Sequence, residues 1–325
     1  MSAAADRVSV IVLSWNSRRF LDACLASVLA QTWPAVELIV VDNASEDGSA
    51  SFVRERFPQA ILVESPVNLG FCGGNNLGLT RAHGAFVLFL NADAILDPNY
   101  LEEALKPFAG GGRVGMVAGK VLRFDRLTVD TTGQLMSRSR RVKERGYGEP
   151  DRGQYDEPGE VFSVCGAVAL YRRSVVDAVS VDGEFFDADF FAFGEDFDAG
   201  WRARRLGWRC RYQPSAVALH FRGGTQKEST GRARRPQMTR RPPEIQAHIV
   251  KNRYLMMIKN ELPGSFFLHL PFILAWDLVI WAYLIIFTPA TVPILWSHRH
   301  LVGRALDKRR VFLSRAAGNA AAQAD

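Results

Sequence analysis

Three places in the sequence combine residue types that could do chemistry. At 88–96 the run LFLNADAIL carries an apolar, strand-forming stretch into Asn91, Ala92 and Asp93. A buried strand ending this way holds a carboxylate at the tip of a sheet, where Asp93 could meet a hard divalent cation. Mg2+ or Mn2+ takes oxygen ligands and uses only one or two protein carboxylates, with phosphates and water completing its shell. Ala92 beside it is small enough to leave room for a nucleotide. The second place is HFRGGT at 220–225, where His220 closes an apolar strand and enters a Gly-rich turn. Imidazole is an acceptable Mn2+ ligand. The third is FFDADFFAFGEDF at 185–197, which alternates aromatics with acids and ends on the adjacent Glu195 and Asp196. Paired carboxylates beside aromatic walls can have one pKa raised and serve as a general base.

Each site has a plainer reading. Strands end in turns, and turns favour Asn and Asp; a lone His is most often an ordinary surface or core residue. Acids at a helix N-terminus favour its dipole, and Phe190, Phe191, Phe193 and Phe197 read more naturally as core than as a sugar platform. The elements that must carry these residues decide between the readings. Apolar runs at 8–13, 36–41, 60–64 and 86–90 predict four strands. Between them, period-four apolar spacing after Asn16 or Ser17, and the segments 49–57 and 76–82, predict helices. Pro98 sits where a fourth helix would begin. Strands alternating with helices make a mostly parallel sheet covered on both faces. Ligands of such sheets lie beyond the carboxyl ends of the strands. At those ends stand Ser14-Trp15-Asn16, Asp42-Asn43-Ala44-Ser45, Asn68 to Gly74 and Asn91-Ala92-Asp93. Four polar or acidic ends on one rim indicate a binding cleft.

Beyond this the pattern loosens. Gly110-Gly111-Gly112 marks a loop, residues 114–124 read as strands, and the polar segment 127–159 reads as a mobile loop or an acceptor-side flap. A strand is expected at 161–171, with Gly166-Ala167 implying close backbone approach. A helix follows through Trp201 to Arg205, ended by Gly207, then strands at 208–212 and 216–219.

The bulk properties agree with a globular protein of 325 residues: 48% of residues are hydrophobic and 23% charged, which excludes wholesale disorder. Cys24, Cys72, Cys165 and Cys210 are far apart, without metal-ligand spacing, and are expected to be free thiols in a reducing compartment. Residues 1–7 are small and polar, so no signal peptide is expected there. The net charge of +6 is uneven: residues 222–253 hold nine Lys/Arg against two Glu, and residues 297–325 six against two Asp. These basic stretches flank an apolar block, 266–296, an arrangement suited to an anionic membrane surface. Nucleic-acid binding would call for aromatics interleaved with the basic residues, and 222–241 has none. A non-catalytic sensor would have no use for the second acidic site. Within the apolar block, residues 272–288 offer 17 positions interrupted by Asp277 and bounded by Pro271 and Pro289, short of the ~20 needed to span a bilayer. The expectation is that 264–315 lies in or dips into one leaflet.

Taken together, VSVIVLSWNS, ELIVVDNASEDGS, NLGFCGGNN, LFLNADAIL, FGEDFDAGWRARRLGW and HFRGGT resemble the motifs of the family 2 inverting glycosyltransferases, in the family's order, over residues 7–225. They are particularly similar to the bacterial rhamnosyltransferase branch, which acts on polyprenyl-diphosphate-linked sugars. The resemblance implies an α/β GT-A (Rossmann-like) fold, to which the apolar block and its basic flanks add C-terminal amphipathic, membrane-associated helices. It implies that Ser14, Asn16 and Asp42 line the pocket for the nucleotide's base and ribose, and that Asn68 lies under the donor. Asn91-Ala92-Asp93 occupies the DxD position with Asn in place of the first Asp, so metal ligation by Mn2+ or Mg2+ falls on Asp93 with His220. Asp196 would be the catalytic base, Glu195 would orient the acceptor, and the segment Trp201 to Trp208 would close the site near the diphosphate. The implied reaction moves a sugar, rhamnose from dTDP-rhamnose in that branch, from a nucleotide sugar to a polyprenyl-diphosphate-linked saccharide in cell-envelope polysaccharide synthesis. A polyprenyl-phosphate sugar synthase is the alternative within the family. The chain then divides into a catalytic domain at 1–225, a basic linker and helix at 226–263, and a membrane-associated helical segment at 264–325, working on the cytoplasmic face of the plasma membrane.

Overall fold

A computed structural model of the chain describes residues 7–110, 113–222 and 241–321. Most of the basic stretch 222–241, the glycines of HFRGGT and Gly111-Gly112 lie outside the described residues. In chain order the first half comprises β1 (Val8–Ser14), α1 (Arg18–Leu29), β2 (Val36–Asn43), α2 (Ser49–Arg56), β3 (Ile61–Ser65), α3 (Gly70–Leu79), β4 (Phe86–Asn91), β5 (Ala94–Leu96) and α4 (Tyr100–Ala109). There follow β6 (Val114–Leu122), β7 (Val129–Thr131), β8 (Gln134–Met136), β9 (Val142–Glu144), β10 (Gly159–Val161), β11 (Val168–Arg172) and α5 (Arg173–Val179). The remainder is α6 (Glu195–Arg205), β12 (Arg209–His220), α7 (Pro243–Asn260), α8 (Pro263–Phe287), α9 (Thr291–Ser297) and α10 (Leu301–Ala321).

The central sheet runs β10-β12-β6-β11-β4-β1-β2-β3. β1 pairs in parallel with β2 and β4, β2 with β3, and β12 with β6, whereas β11 is antiparallel to both β4 and β6. The sheet is therefore mostly parallel, as the strand–helix alternation predicts, with β11 antiparallel at its middle and the short β5, β7 and β10 antiparallel on the β6–β12 side. Alternation along β1 sends Val10 and Val12 to one face, where Leu21, Leu25, Leu101 and Leu105 pack, and Ile11 to the other, with Val175, Phe197, Leu255 and Leu301.

The structure departs from the sequence reading in several places. The Gly-rich segment after Asn68 is helical from Gly70, not a turn ahead of a helix at 76–82. Glycine is a poor helix former, but here it lets α3 lie directly on the sheet. A methyl added at Gly74 would stand 2.3 Å from Leu13 Cδ1, and one at Gly78 2.6 Å from Ile11 Cγ2. The helix expected from Pro98 begins at Tyr100. The single strand expected over 161–171 is two, β10 and β11, separated by a break, while the two expected over 208–219 are one, β12. The segment 127–159 is not a loose flap. It contributes β7 to the sheet and the β8–β9 hairpin, and Asp130, Thr131, Thr132 and Gln134 within it are buried.

The C-terminal helix α10 packs on the rest of the protein. Leu301, Ala305 and Phe312 of α10 are buried, and Lys308 pairs with Asp187 at 2.5 Å and Asp189 at 3.1 Å. Arg304 joins Asp189 at 2.9 Å, and Arg309 donates to the Ile258 carbonyl at 2.8 Å. Three of the basic residues read from sequence as facing a lipid surface therefore hold the end of the chain against the domain instead.

Candidate active site

The four parallel strands end in register. Ser14 is the partner of Asp42, Asp42 of Glu64, Asn43 of Ser65, and Leu13 of Asn91, so the polar strand ends line one rim. Ser14 and Asp42 are buried there, and Ser14 Oγ and Asp42 Oδ1 have no hydrogen-bond partner among the described residues. Buried polar atoms are almost always paired, so two orphans side by side at a strand-end rim mark a place built to receive hydrogen-bonding groups. The other oxygen of Asp42 accepts from the Ser45 N–H at 3.1 Å, which fixes the carboxylate's direction. Asn16, at φ +50°, crosses to the next turn: its N–H donates to Ser45 Oγ at 3.0 Å and its Oδ1 accepts from the Glu46 N–H at 2.8 Å. Asn16 is thus the clasp of this pocket. Asn68 is held by Asn43 at 3.0 Å and accepts from the Gly70 N–H at 2.8 Å, tying the start of α3 to the tip of β2.

Asp93 and His220 are brought together. β5 pairs with the end of β12, His220 opposite Ala94, which sets His220 Nε2 3.2 Å from Asp93 Oδ1. Asn91 Nδ2 lies 3.5 Å from the same nitrogen. On its far side, His220 Nδ1 is 2.9 Å from Oδ2 of the fully buried Asp130, whose other oxygen accepts from Arg222. Sequence reasoning missed Asp130 because it lies in a polar stretch with no apolar rhythm. Burial alone would pull the His220 pKa down, but its hydrogen bonds to Asp130 and Asp93 outweigh this and raise it to about 9. Among the described residues no three His, Cys, Asp or Glu side chains converge as a complete metal site. Asp93 and His220 nonetheless fit a cation that takes its remaining ligands from a diphosphate and water. Adjacent ligands about 2.1 Å from one octahedral ion are ~3 Å apart, which matches the observed separation. Asp130 supplies the outer carboxylate that fixes a ligating imidazole's tautomer and ring. Ala92 is not brought to the rim. It is buried in the apolar cluster beneath, so its small size serves packing under the turn and not access above it.

Asp196 reaches the same rim through β11. The Asn91 N–H donates to the Ala167 carbonyl at 2.9 Å, and the preceding residue, Gly166, donates its N–H to Asp196 Oδ2 at 2.7 Å. The expected close approach at Gly166 is real: a Cβ there would lie 3.3 Å from Asp196 Cβ. Asp196 Oδ1 accepts from the Phe197 N–H at 2.7 Å, and Gln134 Nε2 donates to Oδ2 at 2.9 Å. Burial raises the Asp196 pKa, opposed by these donors. Glu195 is also buried, its Oε2 without a partner among the described residues, and burial followed by repulsion from Asp196 pushes its pKa well up. A carboxyl held by three donors in a dry setting, with its proton affinity raised, has the properties of a positioned general base.

The aromatics divide. Phe190 and Phe197 are core, whereas Phe191 is exposed and, at φ +65°, turns the chain toward α6. The arginines of α6 do not face the rim. Arg202 binds Asp198 at 3.0 Å and the Phe185 carbonyl at 2.6 Å, Arg204 binds Glu160 at 3.0 Å, and Arg205 the Asn260 carbonyl at 3.1 Å. Through Arg202, α6 therefore braces the segment before Asp196, and Trp201 is buried with it.

Comparison with known proteins places this geometry. The chain is 33% identical over 114 residues to an uncharacterized glycosyltransferase of Nostoc sp., covering 34% of this chain and 35% of that protein. It is 21% identical over 214 residues to poly-beta-1,6-N-acetyl-D-glucosamine synthase of Staphylococcus aureus, covering 65% of this chain and 49% of the relative. The chain thus spans about half the length, or less, of these relatives. The mannosyltransferase of Pyrobaculum calidifontis, solved in complex with GDP-Man and Mn2+, superposes with a TM-score of 0.54 at 19% identity, over 96% of this chain and 86% of that one. That likeness establishes the GT-A fold. Residues 9–180, from the first strand through β11 and the helix α5 that follows it, match the model for glycosyl transferase family 2, and the chain belongs to that family.

Proposed function

We propose that the protein is a metal-dependent inverting glycosyltransferase that moves a sugar from a nucleotide sugar to a lipid-linked saccharide at a membrane surface. The observation that carries the reading is the meeting, on one rim, of the Asp93–His220 pair, Ser14 Oγ and Asp42 Oδ1, which have no partner among the described residues, and the buried Asp196. Ser14, Asn16 and Asp42 would seat the nucleotide's base and ribose, and Asn68 would lie under the donor. A divalent ion held by Asp93 and His220, with Asp130 behind, would supply electrostatic stabilisation of the diphosphate. Asp196 takes the proton of the acceptor hydroxyl, the oxygen attacks the anomeric carbon, and the nucleoside diphosphate leaves from the opposite face, so the configuration inverts.

The mannosyltransferase neighbour was solved with a nucleotide sugar and Mn2+, which supports a nucleotide-sugar donor and Mn2+ or Mg2+ as cofactor. Rhamnose from dTDP-rhamnose is the donor we favour, on the strength of the motif likeness to the rhamnosyltransferase branch. A panel of dTDP-rhamnose, GDP-mannose and UDP-linked sugars, with bacterial membrane extract as acceptor and with or without Mn2+, should show one donor releasing its nucleoside diphosphate only when metal and extract are both present. Release from none of them refutes the donor reading. Transfer to polyprenyl phosphate in place of a lipid-linked saccharide would identify a polyprenyl-phosphate sugar synthase.

The membrane part of the reading rests on α8. Among the described residues it is the one helix long and apolar enough to cross a bilayer, at 25 residues, and most of its surface is exposed. Yet the domain touches it along its whole length. Arg140 binds Ser265 Oγ at 2.7 Å near its start, Arg253 binds Asp277 at 2.9 Å at its middle, and Val250 packs with Ile280 and Leu284 near its end. A spanning helix would drag these polar contacts into hydrocarbon, where unsatisfied backbone and buried charge are costly. We therefore place α8 in the plane of one leaflet, the cytoplasmic one, with Phe267, Leu268, Leu278, Ile285 and Ile286 outward. Removing 264–325 would strip α10 from the core, so the test is to replace Leu268, Leu278, Ile285 and Ile286 with Gln. That variant should leave the membrane fraction and keep nucleoside diphosphate binding; undiminished sedimentation with membranes would refute the placement.

A further inference from the structure

The base reading leaves two polar residues unused, the buried Gln134 and the half-buried Glu144, both on the β8–β9 hairpin. Gln134 and Glu144 are direct cross-strand partners, and the single amide nitrogen of Gln134 donates to Glu144 Oε1 at 2.9 Å and to Asp196 Oδ2 at 2.9 Å. Glu144 Oε2 also accepts from the Thr131 hydroxyl at 2.5 Å. Two carboxylates from elements 52 positions apart (144 and 196) thus share one NH2 group inside the protein. The bridge is firmly mounted. The Gln134 N–H donates to the Ser163 carbonyl at 2.8 Å, and its carbonyl accepts from the Phe162 N–H at 2.9 Å. Ser163 Oγ in turn donates to the Asp196 carbonyl at 3.2 Å. Gln134 Oε1 is buried without a partner among the described residues, so the amide is oriented by the two acids alone.

We infer that Gln134 is a positioning residue for Asp196, aiming its carboxylate and lowering its proton affinity, and that Glu144 acts through Gln134 by holding its amide. The inference rests on the reading of Asp196 as the base. Gln134 donates to the charged form of Asp196 and so favours it, while Glu144 accepts from the same NH2 group and fixes its direction. Burial, then the charge of Asp196, raises the Glu144 pKa to about 7, so Glu144 is neutral while Asp196 titrates below it. The remaining titratable or charged groups acting on the pair are Glu195, Cys165 and Tyr171 around Asp196, and Arg222 toward Glu144. Such tuning places a buried base near the working pH, where proton abstraction is most effective.

The test reads Asp196 directly. In the full chain, the pH midpoint of its carboxylate infrared band is obtained as the difference between the wild type and Asp196→Asn, so no substrate is needed. Gln134→Met removes the donor and should move that midpoint up by about one pH unit, whereas Glu144→Gln keeps an acceptor for the amide and should leave it in place. The acid limb of the kcat–pH profile, followed by nucleoside diphosphate release, should move with the Gln134→Met midpoint while the donor KM stays put. An unmoved midpoint in Gln134→Met would overturn the inference and leave the hairpin a purely structural element. Should Gln134→Met fail to fold, Gln134→Ala decides by the same criterion. If instead Asp196→Asn keeps full turnover while the midpoint still moves, the base assignment fails and the electrostatic inference stands.

Discussion

Replacing Asp196 with Asn separates the chemistry of this carboxylate from its place in the fold. Asp196 Oδ2 accepts from Gly166 N–H and Gln134 Nε2, and Oδ1 accepts from Phe197 N–H. An asparagine can keep the first two bonds by setting its oxygen at the Oδ2 position. Its NH2 then faces the Phe197 N–H, donor against donor, and one buried bond to a charged acceptor is lost at a cost of about 1–3 kcal/mol. Unfolding entropy of about 2.1 cal/mol/K per residue, over 325 residues, is about 0.7 kcal/mol/K, so the melting temperature should fall by about 2–4 °C. The fold therefore survives. The donor pocket at Ser14 and Asp42 uses none of these groups, so affinity for the nucleoside diphosphate should be unchanged. Turnover should fall by ~10²–10⁴, the usual contribution of a general base. Calorimetric nucleotide binding, a thermal melt and steady-state release of nucleoside diphosphate check the three expectations on one preparation. A kcat within tenfold of the wild type would refute Asp196 as the base, and a nucleotide affinity falling in step with kcat would move this acid into the donor pocket.

Asp93→Ala should nearly abolish turnover, and excess Mn2+ should not restore it, because Asn91 carries no charge to replace the lost carboxylate; retained activity would remove Asp93 from the metal site. Asp130→Asn should weaken metal binding by about 10–100-fold with donor KM at saturating metal unchanged, as expected for loss of the carboxylate behind a ligating His; metal titration curves that overlay the wild type would make Asp130 purely structural. In metal-free protein, His220 has a folded pKa raised above the ordinary 6.5 to about 9, so its ion pairs stabilise the fold fully below pH 6.5 and lose that effect as pH rises through about 9. The wild type should exceed His220→Gln by ~3 kcal/mol in urea unfolding at pH 6, and the gap should shrink by pH 9.5; a gap that widened would reverse the assignment. Gly70→Ala should destabilise by ~2 kcal/mol or more, since Gly70 sits at φ +69° and a Cβ would lie 2.5 Å from the Phe191 ring; an unchanged melt would show that Phe191 moves freely.

What could be read from the sequence was whatever is local in period or position. Apolar runs of strand length, broken by amphipathic repeats, gave four parallel strands and their order of appearance, and the polar residues ending each run gave the rim with Ser14, Asn16, Asp42, Asn68, Asn91 and Asp93. Glu195 and Asp196 were legible because two acids and several aromatics stand together in a few residues. The tertiary structure decided what depends on distant neighbours. A glycine-rich stretch reads as a turn until Leu13 and Ile11 of β1 are seen pressing on Gly74 and Gly78, where a side chain would collide. The cations of α10 look free for lipid until the acids at 184–189 fold against them. Asp130, Gln134 and Glu144 belong to a segment without periodicity, and each gains its meaning from one partner: His220 lies 90 positions from Asp130, and Asp196 lies 62 from Gln134. A buried carboxylate must be matched by donors or charge wherever the fold brings them, and that matching is made across space, where sequence spacing carries no record of it.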